Sequence, residues 1–245
     1  MAHRELNAYQ VHHAKATAVQ AARLGNHGFE VTCSKGNSYV CRRLLIATGV
    51  KDVIPEVPGM QELWGRGVYH CPFCDGFELC DRKIGLYARR HNGYGMALAL
   101  KQLTNEVVLF TDGARYLRSA QREQLAARNI RVVSERIRQL TLSGKTLTCV
   151  TLQGGASIPC DAVFIHHGHQ VNNELLVQLG TRLTKKGAAV TNRRQECSIP
   201  GLYVAGDAAI DMHFVIVAAA EGAKAAVAIH DDLLKADNFL HSAGK

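Results

Sequence analysis

The sequence lacks the features that mark membrane, secreted and nucleic-acid-binding proteins. Its most apolar stretch, Phe214 to Ile229, contains Glu221 and Lys224, so it is too short and too charged to cross a bilayer. The first ten residues hold no apolar core of the kind that a secretory signal needs. The net charge is +8, but the basic residues are scattered doublets rather than a stripe interleaved with aromatics. These absences predict a cytoplasmic protein that binds neither membrane nor nucleic acid.

The cysteines do not form the framework of a small disulfide-rich protein. There are eight in 245 residues, and only Cys71 and Cys74 are close together. A Cys-x-x-Cys spacing favours a reversible disulfide, while half of a zinc site and chance remain alternatives. No second ligand pair has a metal-like spacing, and the run His166-His167-Gly168-His169 follows a predicted strand without a cysteine or carboxylate nearby. We therefore predict redox chemistry and no metal.

The hydrophobic pattern predicts an α/β protein with a doubly wound sheet. Arg43 to Gly49 reads as a buried strand that ends in a tight turn. A βαβ unit is predicted from Lys83 to Thr111, and Gly201 to Asp207 is a strand that ends in Gly-Asp. A long alanine-rich helix is expected from Val215 to Lys235. Folds of this class bind ligands beyond the carboxyl ends of their strands.

A carboxylate follows the cysteine pair directly. Asp75 could donate a proton to a leaving thiolate if partial burial raised its pKa. It could equally be the N-cap of a helix, and the two roles are compatible.

Three segments resemble the low-molecular-weight, bacterial type of thioredoxin reductase. They are Ala47-Thr48-Gly49, the run Cys71-Pro72-Phe73-Cys74-Asp75-Gly76-Phe77-Glu78, and Gly201 to Asp207 with the helix that follows. The similarity extends over nearly the whole chain in the same order. It implies a pyridine nucleotide-disulfide oxidoreductase that uses FAD and NADPH, acts on a thioredoxin-like protein or a small dithiol or disulfide, and forms a homodimer.

The resemblance also implies roles for individual residues. Cys71 would attack the partner disulfide, Cys74 would lie against the flavin, and Asp75 would match the proton donor. The remaining positions match the family's FAD site, with Asp207 on the ribityl chain and a backbone contact from Val215: Ala47, Thr48, Gly49, Gly206, Asp207, Phe214 and Val215.

The sequence departs from the family in both nucleotide sites. No G-x-G-x-x-G turn precedes Ala47, as though the first FAD-binding βαβ unit were missing, so weak FAD binding and exposed apolar faces at Leu44–Ala47 and Tyr203–Ala205 are expected. In the nicotinamide fingerprint only Gly93 remains, after Ala88-Arg89-Arg90. Asp112 stands where a basic motif would hold the 2′-phosphate, so NADPH binding is doubtful.

These observations predict two domains and leave the direction of electron flow open. Residues 1–54 and 170–245 would form an FAD-type domain, and residues 55–169 an NAD(P)-type domain with the cysteine pair. Asp75 favours a reductase, because related dithiol oxidases tend to carry histidine there. The Ala88-Arg89-Arg90 replacement favours an oxidase that passes electrons from a small dithiol to oxygen. A truncated, non-catalytic remnant is the third alternative.

Overall fold

The computed structural model describes residues 7–9, 11–25, 28–90, 92–210 and 212–238. The strands, in chain order, are β1 (Ala18–Leu24), β2 (Gly28–Cys33), β3 (Ser38–Cys41), β4 (Leu44–Ile46), β5 (Val50–Asp52), β6 (Val68–Tyr69), β7 (Ile84–Tyr87), β8 (Val107–Phe110), β9 (Arg131–Val133), β10 (Ile137–Ser143), β11 (Thr146–Leu152), β12 (Ser157–Pro159), β13 (Ala162–Ile165), β14 (His169–Val171) and β15 (Leu202–Val204). The α-helices are α1 (Pro72–Asp75), α2 (Gly93–Leu100), α3 (Ser119–Ala126), α4 (Glu174–Gln178) and α5 (Val215–Ala236).

The chain folds into two compact units. One contains residues 1–51 and 170–245, and the other contains residues 52–169. The sequence analysis puts the boundaries after residues 54 and 169, and the assignment of the two units as FAD-type and NAD(P)-type domains stays a prediction. Within the described residues, no helix is both long enough and apolar enough to cross a bilayer.

The continuous unit is built on a five-stranded parallel sheet of order β6-β13-β7-β8-β9. All four residues of β7 and all four of β13 are buried, because a parallel sheet is covered on both faces. One core cluster joins sheet residues such as Val163 to the antiparallel strands β10, β11 and β12. A second joins Leu86 and Leu109 to helices α2 and α3. This is the α/β architecture that the sequence predicts.

The discontinuous unit contains a smaller parallel pair and an antiparallel sheet. Strand β4 pairs in parallel with β15, with Ile46 opposite Val204. Strands β1, β2 and β3 form a three-stranded antiparallel sheet. The first strand in the described residues begins at Ala18, and Asn7–Tyr9 is a short 3-10 helix.

Helix α5 packs its alanines against the parallel pair. Tyr203 and Ala205 form a core cluster with Ala225 and Ala228 of α5. The expected exposure of Tyr203–Ala205 is therefore wrong, since the small alanine side chains let the helix cover that strand. The expectation for the other segment is only partly right: Leu45 and Ala47 are exposed, but Ile46 on β4 is 4% exposed.

Candidate active site

The cysteine pair lies at the start of a short helix. Cys71 is the N-cap of α1 with an extended backbone, and Pro72 occupies the first helical position, where its fixed φ suits a helix start. The backbone N–H groups of Cys74 and Asp75 both donate to the Cys71 carbonyl. This single turn brings the two Sγ atoms to 2.7 Å from each other, with Cys74 exposed and Cys71 partly exposed.

The contact between the sulfurs is a hydrogen bond with a direction. The Cys74 thiol donates to Cys71 Sγ. That bond, followed by burial and by the charges of Cys71 and Asp75, raises the pKa of Cys74 to about 11. The bond therefore keeps the proton on Cys74, with Cys71 Sγ as its acceptor.

Asp75 lies at the end of the same helix and not at its start. It is the last residue of α1, so the N-cap interpretation is wrong, and Cys71 takes that place instead. Burial raises the pKa of the Asp75 carboxyl, the positive potential of His70 lowers it, and the charge of Glu78 raises it again. The raised pKa increases the protonated fraction of a carboxyl group next to the cysteine pair.

The residues around the pair are aromatic and unusually exposed. Phe73 and Phe77 are each 84% exposed. The His70 ring is stacked on Trp64 at a centroid distance of 5.7 Å and an angle of 17°. Trp64 in turn packs against a buried core cluster, which fixes the position of the imidazole beside Cys71.

The predicted FAD positions of the discontinuous unit meet at one edge of its parallel pair. Because Ile46 is opposite Val204, Ala47 to Gly49 and Ala205 to Asp207 leave the two strands side by side. The Ala205 N–H donates to the Ile46 carbonyl at 3.1 Å. Ala47 and Thr48 are exposed, and Asp207 is partly exposed in a 3-10 turn. This edge leaves accessible small and polar groups where a ligand could bind.

Two glycines shape that edge through their backbone conformation. Gly49 has φ +66° and Gly206 has φ +71°, both in the left-handed region that favours glycine. A Cβ on Gly206 would lie 3.3 Å from Ala218 Cβ on helix α5. Phe214 is the N-cap of that helix, and Val215, its first residue, is 88% exposed.

Two residues that the sequence did not single out hold this edge in place. Asn172 accepts a hydrogen bond from Thr48 Oγ1 on its carbonyl at 2.6 Å, and its Nδ2 donates to the Thr48 carbonyl at 2.9 Å. Glu221 is buried and accepts the Gly206 N–H at 2.8 Å. Asn172 lies far away in sequence and Glu221 lies in an alanine-rich helix, so neither has a local signal.

The turn that follows β7, where the nicotinamide dinucleotide is predicted to bind, is tightly packed. Ala88 is fully buried after β7. A Cβ on Gly93 would lie 2.6 Å from Ala88 Cβ and would also overlap the Tyr116 hydroxyl, which donates to the Ala88 carbonyl. Gly93 therefore serves close packing of α2 on the sheet, which is one of the three glycine roles in a dinucleotide fingerprint.

Asp112 points into the fold. Its Oδ2 accepts a hydrogen bond from the Tyr87 hydroxyl at 3.0 Å, and its Oδ1 accepts the Ile137 N–H at 2.9 Å. Arg89 Nε lies 3.7 Å from Oδ2. Asp112 is 9% exposed and its carboxylate is already compensated, so it repels a phosphate less than the sequence suggests. Among the described residues, no group of three or more histidines, cysteines, aspartates or glutamates is arranged for a metal.

Fold and sequence together define the class of this protein. Residues 3–222 match the pyridine nucleotide-disulphide oxidoreductase family, and the chain belongs to that family. The curated proteins that the chain resembles include thioredoxin reductases and F subunits of alkyl hydroperoxide reductase. The chain is 27% identical over 236 residues to a probable thioredoxin reductase of Arthroderma benhamiae, covering 84% of this chain and 57% of that protein. It is 28% identical to thioredoxin reductase sirT of Leptosphaeria maculans, covering 92% and 73%.

The same likeness appears in three dimensions. A putative thioredoxin reductase of Bacillus anthracis superposes with a TM-score of 0.89 at 28% identity, covering 96% of this chain and 79% of that one. The expected thioredoxin-reductase-like fold is thereby confirmed. The chain spans a little over half the length of the Arthroderma relative, 57%.

Proposed function

We propose that this protein is a dithiol–disulfide oxidoreductase of the thioredoxin-reductase type, in which Cys71 and Cys74 form the redox pair. The observation that carries the proposal is the Sγ–Sγ distance of 2.7 Å, with Cys74 donating to Cys71. Cys71, as thiolate, attacks the disulfide of a thioredoxin-like protein or of a small compound. Cys74 then attacks Cys71 Sγ and releases the reduced product. Asp75 supplies a proton to the leaving thiolate.

The proposal includes a flavin at the carboxyl edge of β4 and β15. The residues proposed to contact FAD are those that the structure places along this edge and at the start of α5: Ala47, Thr48, Gly49, Gly206, Asp207, Phe214 and Val215. When bound, FAD supplies two-electron chemistry to the cysteine pair. The positive end of the 22-residue helix α5 favours the electron-rich part of such a ligand.

Asp207 is the side chain of this edge that tests the proposed flavin site. Asp207→Ala should lower the affinity of the chain for added FAD, measured by flavin fluorescence. Equal affinities of the variant and the unaltered chain would contradict the proposed site.

A second candidate is a flavin-dependent dithiol oxidase that does not use NADPH. The buried Ala88 and the close packing of Gly93 favour it, since they leave little room for a pyrophosphate at the turn after β7. A yellow protein with NADPH-dependent thiol release is a reductase. A yellow protein that is inert to NADPH but consumes oxygen with a small dithiol is an oxidase, and a colourless, inert protein is a remnant.

The direct test of the cysteine roles is intermediate trapping. The Cys74→Ser variant should accumulate a mixed disulfide between Cys71 and a disulfide substrate, and mass spectrometry should locate it at Cys71. Cys71→Ser should accumulate far less. Equal trapping at other cysteines would remove the basis of the proposal.

A further inference from the structure

The five-stranded sheet brings the cysteine pair and a basic loop to one edge. Tyr69 at the end of β6 is opposite Phe164 on β13, and Ile165 at the end of β13 is opposite Tyr87 at the end of β7. All three strands are parallel, and neighbouring strands lie about 4.8 Å apart. The segments that follow them, 70–71, 166–167 and 88–90, therefore leave the sheet side by side. The order of the sheet places the histidine segment between the cysteine pair and the arginines.

Positive charge is concentrated on one side of this edge. Arg90 is exposed, and the side chain of Arg89 is 48% exposed. Burial lowers the pKa of His167, and the positive charges of Arg90 and Arg89 lower it further. The His167 ring lies 6.1 Å from that of Tyr87, so the imidazole is held beside the arginine loop. A bound anion would be attracted by the two guanidinium groups, and the neutral imidazole that the lowered pKa implies could donate a hydrogen bond to it.

The acidic residues near this edge either lie on the α1 side of the cysteine pair or are hydrogen-bonded within the fold. Asp112 uses both carboxylate oxygens within the fold, one for the Tyr87 hydroxyl and one for the Ile137 N–H. Burial raises the pKa of the Tyr69 hydroxyl, and the negative charges of Asp75 and Glu78 raise it further. These two acidic residues therefore belong to the α1 side of the cysteine pair. A disulfide at Cys71 would meet negative charge on that side and positive charge on the other.

The basic loop is poorly suited to cradle a dinucleotide through its backbone. Ala88 is fully buried, and Gly93 packs against Ala88 and Tyr116. Its side chains, by contrast, are accessible. Guanidinium groups bind carboxylates through paired, charge-assisted hydrogen bonds.

We propose that the sheet edge between the redox pair and the Arg89–Arg90 loop binds the carboxylate of a small acidic thiol or disulfide, and that such compounds are substrates of Cys71 and Cys74. The inference rests on the redox function proposed above and names its substrate class. Arg90 and His167 are the specificity-determining residues. Arg89 contributes to the positive field while it also pairs with Asp112.

The reaction that this site serves balances within the substrate and the cysteine pair. The Cys71 thiolate attacks one sulfur of the substrate disulfide, whose S–S bond breaks, and the departing thiolate takes one proton. The Cys74 thiol loses its proton to solvent and attacks Cys71 Sγ, which breaks the mixed disulfide and releases the second thiolate. The substrate gains two electrons and the cysteine pair loses two. The oxidase direction is the reverse sequence.

The test compares three disulfides that differ in charge but have the same two-methylene arms. They are 3,3′-dithiodipropionate, bis(2-hydroxyethyl) disulfide and cystamine, which are anionic, neutral and cationic. The full chain is reduced, freed of reductant and mixed with each one, and thiol release is divided by the rate with free dithiothreitol. The anionic disulfide should react about tenfold faster than the neutral one at low salt, and cystamine should be slowest. Adipate, which has both carboxylates but no sulfur, should compete.

The matched variants are Arg90→Gln and Arg131→Gln. Arg131 is exposed at the amino end of β9, on the opposite edge of the same sheet. Arg90→Gln should lower the rate with the anionic disulfide by about fivefold to tenfold and leave the neutral one unchanged. Arg131→Gln should alter neither rate. Arg89→Gln is a less specific variant than Arg90→Gln, because the pairing of Arg89 with Asp112 gives Arg89 a structural role as well.

Each outcome decides a different claim. Equal normalised rates for all three disulfides, or an Arg90→Gln effect of the same size on all three, would overturn the carboxylate site while leaving the redox function intact. If the small disulfides are inert and a thioredoxin-like protein is reduced, the substrate class is wrong. If nothing oxidises the cysteine pair, the proposed redox function itself fails.

Discussion

The buried carboxylate of Glu221, in the middle of helix α5, accepts a hydrogen bond from the Gly206 N–H at 2.8 Å. This contact fixes the turn after β15, next to Asp207 and against Ala218. Glu221→Leu would leave the Gly206 N–H without its acceptor and should lower the free energy of unfolding by about 1–3 kcal/mol. Glu221→Gln keeps an acceptor oxygen and should cost less. Urea unfolding of both variants checks the order, and equal losses would contradict it.

Two glycines of helix α2 should respond oppositely to the same substitution. A Cβ on Gly93 would collide with Ala88 Cβ and the Tyr116 hydroxyl, whereas a Cβ on Gly95 has no neighbour within 4 Å. Gly93→Ala should therefore destabilise the protein by about 1–3 kcal/mol through overpacking. Gly95→Ala should be neutral or stabilise it by up to about 1 kcal/mol, since alanine favours helix. Thermal unfolding with equal shifts for both variants would show that Gly93 is not in close contact.

The pH dependence of the cysteine pair follows from its hydrogen bond. Cys74 has a pKa of about 11, raised first by the bond to Cys71. It should remain a thiol through neutral and mildly alkaline pH and ionise only as the pH rises toward that value. Cys71→Ala removes the largest cause and should move the pKa of Cys74 down toward about 8.5. Alkylation rates at Cys74, measured by mass spectrometry against pH, give both values.

The control for this titration is Asp75→Asn. The charge of Asp75 is the last and smallest of the causes that raise the pKa of Cys74. Its removal should lower that pKa by less than Cys71→Ala does. A larger effect of Asp75→Asn would mean that electrostatics, and not the bond between the sulfurs, holds the proton on Cys74.

NADPH should bind weakly or not at all. Residues 88–90 carry side chains where the family has the glycines that bring a pyrophosphate close to the backbone. Ala88 is fully buried, so the turn has little room for a pyrophosphate. Fluorescence titration should give a dissociation constant well above the micromolar range, weaker than about −8 kcal/mol of binding free energy. A low micromolar constant would contradict the prediction.

The sequence allows the fold to be predicted where the signals are local. Helix α5 begins at Val215 as predicted, because the alanine-rich run starts there. The cysteine pair at a helix start follows from its spacing and from Pro72. Asp112 was expected to face a phosphate, but its φ of +49° turns the chain so that its carboxylate meets Tyr87 and Ile137. Partners that lie far apart in the sequence, such as Asn172 and Thr48, cannot be predicted from the local sequence pattern.

The measurement that tests the account most directly is a redox titration of the cysteine pair. The protein is equilibrated in dithiothreitol buffers of stepwise potential, free thiols are alkylated, and each cysteine is quantified by mass spectrometry. Cys71 and Cys74 should convert together as one two-electron couple, with a tenfold change in their ratio for about 30 mV, while the other six cysteines stay reduced. Independent oxidation of the two, or a pair that remains dithiol throughout, would contradict the account.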